Sequence, residues 1–271
     1  MPKLTAFDIQ KMKKAGKKIS MLTAYDSSMA AIFDDAQIDI ILIGDSMGQV
    51  IYGAQNTLEV TLEMTLRHTQ AVARGATNYS LIIADMPFLS FGLTIDETVA
   101  NAGKLVSEGH AEAVKLEGAS ETRLAEIKAI TDIGIPVQGH IGLLPQSANK
   151  LGGYKVQGKS ESFYTEEQLL ESAKKLDKAG CFSIILEAIP HDVAKKITEE
   201  IKIPTIGIGA GLNCDGQVLV SYDMLGFKTS RKPKFVKFYA DLYTVILEAA
   251  KKYSEEVKEG IFPTLEYSYE K

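Results

Sequence analysis

Eight short apolar runs constrain this chain more than any other feature: ISMLTA (19–24), IDIILIG (38–44), SLIIAD (80–85), EAVKLEG (112–118), IPVQGH (135–140), FSIILEA (182–188), IPTIGIG (203–209) and QVLVSYD (217–223). Each is too short for a helix, and apolar residues on both faces are the mark of parallel strands covered by helices. Amphipathic stretches alternate with them. Asp26, Ser27 and Ser28 offer caps before MAAIFDDA, residues 61–74 stop at Gly75, and Thr94 to Glu97 resembles a capping box. Residues 120–132, 165–179 and 190–201 read the same way, the last with Pro190 in its first turn.

Strands alternating with helices leave a closed barrel or a doubly wound open sheet. A dinucleotide-binding open sheet should show GxGxxG after its first strand, but that strand runs into TAYDSSMA. The count of eight favours a single (β/α)8 TIM-type barrel, and 271 residues is an ordinary size for one. With no linker-like composition break, residues 1–271 read as one domain. A lysine-rich helical extension occupies about 1–18, residues 233–253 supply the last helix, and a tail covers about 255–271.

Composition removes several function classes. Thirty Lys and Arg against 35 Asp and Glu give a net charge of −5, which lacks the basic footprint of a nucleic-acid binder. Two cysteines, Cys181 and Cys214, make neither a disulfide framework nor a zinc site. The first twenty residues have no signal-peptide core, and no run approaches the roughly 20 apolar residues of a membrane span. The expectation is a cytoplasmic protein with no membrane or nucleic-acid partner.

The polar residues that terminate the apolar runs carry the functional signal. Asp45 and Ser46 end the second, Asp85 the third, Lys115 and Glu117 the fourth, His140 the fifth and Glu187 the sixth. In a parallel barrel these ends meet at one mouth, where barrel enzymes build their sites. Lys115 and Glu117 are two apart and point the same way; if they face inward, Val114 and Leu116 face the helices. Four carboxylates in a narrow mouth repel one another unless a cation joins them, and oxygen ligands with open positions suit Mg2+, with Mn2+ or Co2+ also compatible. Lys115 suits a substrate carboxylate or a developing oxyanion.

Each residue also has a plainer reading. An Asp or Ser at a strand end often caps the next helix, and a single His140 is as readily structural as functional. His68 reads as structural, and His110 and His191 as surface or turn residues. The glycine-rich segment 205–211 fits a phosphate cradle or a tight turn equally well.

The stretches MLTAYDSSMAAIFDDAQIDIILIGDSMGQVIYG, NTLEVTLEMTLRHTQAVARG, LIIADMPF, AVKLEG, PVQGHIGLLPQS, ILEAIP and TIGIGAGLNCDGQVLV together resemble the ketopantoate hydroxymethyltransferase family over nearly the whole chain. GDS, ADMPF, VKLEG and GHIGLLPQS in that order make the resemblance specific. It implies a Mg2+-dependent (β/α)8 barrel that moves a one-carbon unit from 5,10-methylenetetrahydrofolate to 3-methyl-2-oxobutanoate (2-oxoisovalerate), giving 2-dehydropantoate in pantothenate synthesis. It also implies a homo-oligomer, commonly a decamer. Position by position, Asp45 and Asp85 match the metal ligands, and Glu117 a third acidic metal-site residue acting directly or through water. Ser46 and Lys115 match groups that hold the 2-oxo acid together with Asp45 and Asp85 at the metal. His140 matches a pocket histidine and Glu187 the proton-abstracting base.

The chain departs from the family pattern at Glu59, at Phe88 to Phe91, at Ser221 and Tyr222, and at Tyr267, none of them among the metal or base positions. Two alternatives compete: a Mg2+-dependent lyase or mutase of the phosphonopyruvate mutase–isocitrate lyase type, and a non-catalytic binding barrel. The first usually carries a Lys-Lys-Cys-Gly-His-like loop, which is absent from this sequence.

Overall fold

A computed structural model describes residues 2–227 and 233–270. The chain divides into two compact units, Met1–Val220 and Ser221–Lys271. The first holds eight strands in a closed parallel barrel whose neighbours follow chain order, β1 meeting β8. They are β1 (Ile19–Thr23), β2 (Ile40–Ile43), β3 (Leu81–Asp85), β4 (Ala113–Glu117), β5 (Val137–Gly142), β6 (Ser183–Glu187), β7 (Thr205–Ile208) and β8 (Gly216–Leu219). The helices of this unit are α1 (Ala6–Lys14), α2 (Ser27–Asp35), α3 (Met47–Val50), α4 (Leu62–Gly75), α5 (Ile95–Ser107), α6 (Glu121–Asp132), α7 (Glu166–Lys178) and α8 (His191–Glu200).

The alternation of side chains along each strand separates two cores. Ile19, Met21, Ile40, Leu42, Leu81, Ile83, Ile185 and Ile206 fill the barrel interior. Val114, Leu116, Val137, Ile184 and Leu186 face outward and pack with helix residues such as Leu105, Ile127, Leu176 and Ile197. Alternate residues share a face, so interior rows that begin apolar end polar at the carboxyl ends: Leu81, Ile83, Asp85; Ala113, Lys115, Glu117; Ser183, Ile185, Glu187.

Helix α1 closes the other end. Its Ile9 is fully buried with the interior cluster, and the helix carries a complete capping box from Thr5 and Asp8. Lys13 reaches the Ile203 carbonyl at 3.0 Å and Asp215 at 3.0 Å, both just before strands begin. The N-terminal helix expected from sequence therefore plugs the bottom of the barrel, the end opposite the carboxyl ends of the strands.

The helical coat has one departure. The crossover from β7 to β8 is residues 209–215 alone, with no helix. The four-residue strands and glycine turns allow so short a return. Gly211, at φ +84°, lies so close to His191 that an added Cβ would sit 2.5 Å from its Cβ. That close approach matches the tight-turn reading of the glycine-rich segment.

In the second unit, α9 (Ser221–Met224) is followed by α10 (Leu242–Lys258), capped by Asp241. The last long helix thus begins and ends later than the 233–253 pattern suggests, and extends into the stretch read as tail. A short 3-10 turn, Leu265–Tyr267, comes after it. Among the described residues, no helix is long and apolar enough to cross a membrane.

Candidate active site

The strand-end acids are not helix caps. The helices near the mouth have caps of their own: Asp26 for α2, Thr61 for α4, Thr94 for α5, Ser120 for α6 and Thr165 for α7. Ser46 precedes α3 but makes no capping hydrogen bond, and its Oγ instead lies 2.8 Å from the Tyr25 hydroxyl. Asp45, Asp85, Lys115, Glu117 and His140 are all buried, and the Glu187 side chain is 16% exposed.

Barrel register brings them together: Asp85 pairs with Lys115, and Glu117 with His140, across neighbouring strands. Lys115 Nζ lies 3.0 Å from Asp85 Oδ1 and 3.4 Å from His140 Nδ1. The Asp45 N–H donates to Asp85 Oδ2 at 2.9 Å. His140 Nε2 is 3.2 Å from Glu187 Oε2, while Nδ1 is 3.7 Å from Glu117 Oε1. All seven residues singled out from sequence, including Ser46 beside Asp45, therefore gather at the mouth.

Electrostatics follows from burial. Desolvation pushes Glu187 up to about 7, with Lys115 pulling back. Asp85 rises to about 6, burial and the Asp45 charge outweighing the Lys115 ammonium. Glu117 is held well above the carboxylate range by burial and then by Asp45. His140 is driven well below its ordinary value by burial and the Lys115 charge, so its ring is neutral. Lys115 remains an ammonium because its acid neighbours outweigh its own desolvation. With Lys115 donating toward Nδ1, the neutral ring carries its proton on Nε2, which lies 3.2 Å from Glu187 Oε2 without making a hydrogen bond.

Several contributors carry no signal that the sequence reading could use. Gln146, on the 3-10 turn Pro145–Ser147 after β5, donates from its amide to Asp45 Oδ2 at 2.9 Å. Tyr25 comes after β1, a strand whose end carries no charge to draw attention to it. Its carbonyl is 2.5 Å from His68 Nδ1, whose Nε2 is 2.8 Å from the Tyr52 hydroxyl. His68 thus braces the segment that holds Ser46. Tyr154 is raised by burial and by the charges of Asp45, Glu187 and Glu117, which places its phenol within their field. Arg123 donates to the Glu117 carbonyl at 2.8 Å and lies 3.8 Å over Phe91.

Gly142, at φ +99°, lets β5 pass against Glu187. A Cβ there would meet the Glu187 carbonyl oxygen at 2.2 Å. This glycine is required by both its conformation and its neighbour.

The donor set fits a hard divalent cation. Four carboxylates face one ammonium and a neutral imidazole; Asp85 Oδ1 sits 3.0 Å from the Lys115 ammonium, while Glu117 Oε1 is buried without a hydrogen-bond partner. Among the described residues, no group of three or more His, Cys, Asp or Glu side chains is gathered closely enough to hold an ion as a complete cage. Mg2+ needs no such cage, since one or two carboxylates with water and substrate oxygens complete its octahedron.

The profile of the family described as ketopantoate hydroxymethyltransferase matches residues 3–265. A 3-methyl-2-oxobutanoate hydroxymethyltransferase from Clostridium botulinum is 53% identical over 267 residues, covering 98% of this chain and 96% of that protein. Among solved structures, phosphonopyruvate hydrolase in complex with oxalate and Mg2+ is similar at TM-score 0.62 and 11% identity, covering 95% of this chain and 88% of that one. A 2,3-dimethylmalate lyase of the PEP mutase/isocitrate lyase superfamily gives TM-score 0.59 and 13% identity, with 97% and 91% covered. Those two likenesses are of fold.

Proposed function

Because this chain belongs to the ketopantoate hydroxymethyltransferase family, we propose that its barrel mouth performs hydroxymethyl transfer to 3-methyl-2-oxobutanoate with Glu187 as the base. The observation that carries this assignment is a desolvated carboxyl, raised to about 7, facing the same pit as Lys115, Asp45 and Asp85. A general base is most effective when its pKa lies near the working pH.

The residues divide the work by their chemistry. Lys115 supplies the fixed positive charge that pairs with the carboxylate of the 2-oxo acid, and Ser46 Oγ, oriented by Tyr25, donates to the same substrate. Asp45 and Asp85 would hold Mg2+, with Glu117 beside them. The ion, when bound, supplies Lewis-acid polarisation of the keto group, which acidifies the neighbouring C–H bond. Glu187 accepts the C3 proton, and the neutral His140 ring packs beside its carboxylate, Nε2 at 3.2 Å, without neutralising it.

The resulting enolate carbon forms a C–C bond to the methylene carbon of 5,10-methylenetetrahydrofolate. One water is consumed: it supplies the new hydroxyl while the folate nitrogens take up protons and leave as tetrahydrofolate. Each turn thus replaces the C3 hydrogen by CH2OH, giving 2-dehydropantoate. A homo-oligomer, a decamer in the family's manner, and a cytoplasmic setting extend the same family reading.

The test is direct. Purified protein with 3-methyl-2-oxobutanoate, 5,10-methylenetetrahydrofolate and Mg2+ should yield 2-dehydropantoate, detected by mass. No product under these conditions refutes the assignment.

A further inference from the structure

Gln146 lies at the centre of the acid cluster although its residue type advertises no chemistry. It is 7% exposed, on the turn after β5. Its amide nitrogen donates to Asp45 Oδ2 at 2.9 Å and to the Met86 carbonyl at 3.1 Å. Its main-chain N–H donates to Glu117 Oε2 at 3.2 Å. The orientation of the amide is fixed by these partners, because swapping oxygen and nitrogen would set three acceptors against one another.

A pattern emerges once the Asp45 N–H is included, donating to Asp85 Oδ2 at 2.9 Å. Three carboxylates, brought by three different strands, are each tied through one oxygen by a neutral N–H donor. Gln146 makes two of the three ties. The second oxygen of Asp85 lies 3.0 Å from Lys115 Nζ, whereas that of Glu117 has no hydrogen-bond partner, and Gln146 Oε1 is likewise buried without one.

We propose that Gln146 is the positioning residue of the cation site, fixing Asp45 Oδ2 through its side chain and Glu117 Oε2 through its main chain and leaving Glu117 Oε1 without a hydrogen bond from the protein. The inference rests on the reading of this mouth as a Mg2+ site and deepens it. A neutral donor suits the task. It favours the ionised carboxylate by hydrogen bonding yet adds no charge to compete with the cation. Lys115 on Asp85 is the contrast, an ammonium that a cation must share. The unpartnered Oε1 is an acceptor suited to a water of the ion's shell.

The test is Mn2+ binding to the full chain, read by electron paramagnetic resonance of the free ion, which needs no turnover. Gln146→Met keeps length and burial and loses the donor, while Gln146→Asn keeps an amide but withdraws it by one methylene. Both should bind Mn2+ about tenfold or more weakly, the usual effect of losing such an outer partner. The melting temperature of the metal-free protein should stay near wild type, and excess Mg2+ should restore kcat. Asp45→Asn serves as the control that loses the ion altogether.

Unchanged Mn2+ affinity in Gln146→Met, with Asp45→Asn impaired, overturns the role of Gln146 alone. Activity that stays low at saturating Mg2+ does the same, since it marks a general defect. Absence of Mn2+ binding by the wild type refutes the metal reading itself. Should Gln146→Met fail to fold, Gln146→Asn decides by the same comparison.

Discussion

Replacing Glu187 by Gln tests the base and its environment in one variant. In the unfolded chain this carboxyl ionises near the ordinary 4.5, and in the folded barrel near about 7. Between those values the unfolded state sheds its proton first, so the stability this group contributes falls as pH rises from 4.5 to 7 and stays low above. The full difference is about 3 kcal/mol. Glu187→Gln has the same shape and no charge to desolvate. In metal-free protein followed by urea unfolding, the variant should gain about 2–3 kcal/mol on the wild type between roughly pH 5 and pH 8.

Catalysis should move the other way. Deuterium exchange at C3 of 3-methyl-2-oxobutanoate, read by proton NMR with Mg2+ present, should fall by roughly 10²–10⁴. In the wild type, a base raised above the ordinary carboxylate range gains its charge only toward neutral pH, so exchange should rise with pH through that region. Unchanged exchange in the variant would rule Glu187 out as the base. No relative gain in stability at high pH would refute the desolvation argument.

Two further substitutions probe the frame around that base. Lys115→Met removes the ammonium 3.0 Å from Asp85 and leaves a buried acid unpaired. Metal-free stability should drop by about 3–5 kcal/mol, and KM for the 2-oxo acid should rise roughly 10–100-fold; an unchanged KM counts against Lys115 as the carboxylate partner. Gly142→Ala forces a side chain into positive φ and against the Glu187 carbonyl, so urea unfolding should show a loss of about 2–4 kcal/mol. Tolerance of that alanine would contradict the close packing of β5 on β6.

Much of this architecture is legible in the chain. The apolar runs mark the strands, and the polar residues at their carboxyl ends mark the mouth, because a parallel barrel directs every such end to the same place. Alternation puts Val114 and Leu116 on the face opposite Lys115 and Glu117, and the structure shows that the former pair meets the helices. The helix-free return from β7 to β8 is less visible, since seven residues rich in glycine look like any loop.

Gln146, Tyr25 and Tyr154 escape for a different reason. A neutral amide or phenol contributes through where its atoms point, and spacing in sequence does not report that. Tyr25 and Gln146 lie inside the motifs TAYD and GLLPQS, so a signal is present without a chemical cue to use it. Capping stays an open reading for the acids until the helices are seen to carry their own caps.

At the centre of this picture, acids at the barrel mouth work with a divalent cation to make the C3–H bond labile. The most direct measurement is C3 deuterium exchange of 3-methyl-2-oxobutanoate by folate-free enzyme, before chelation, after it and after Mg2+ is returned. Exchange should vanish with chelator and recover with the ion. Exchange that continues undiminished in chelated protein would contradict the claim.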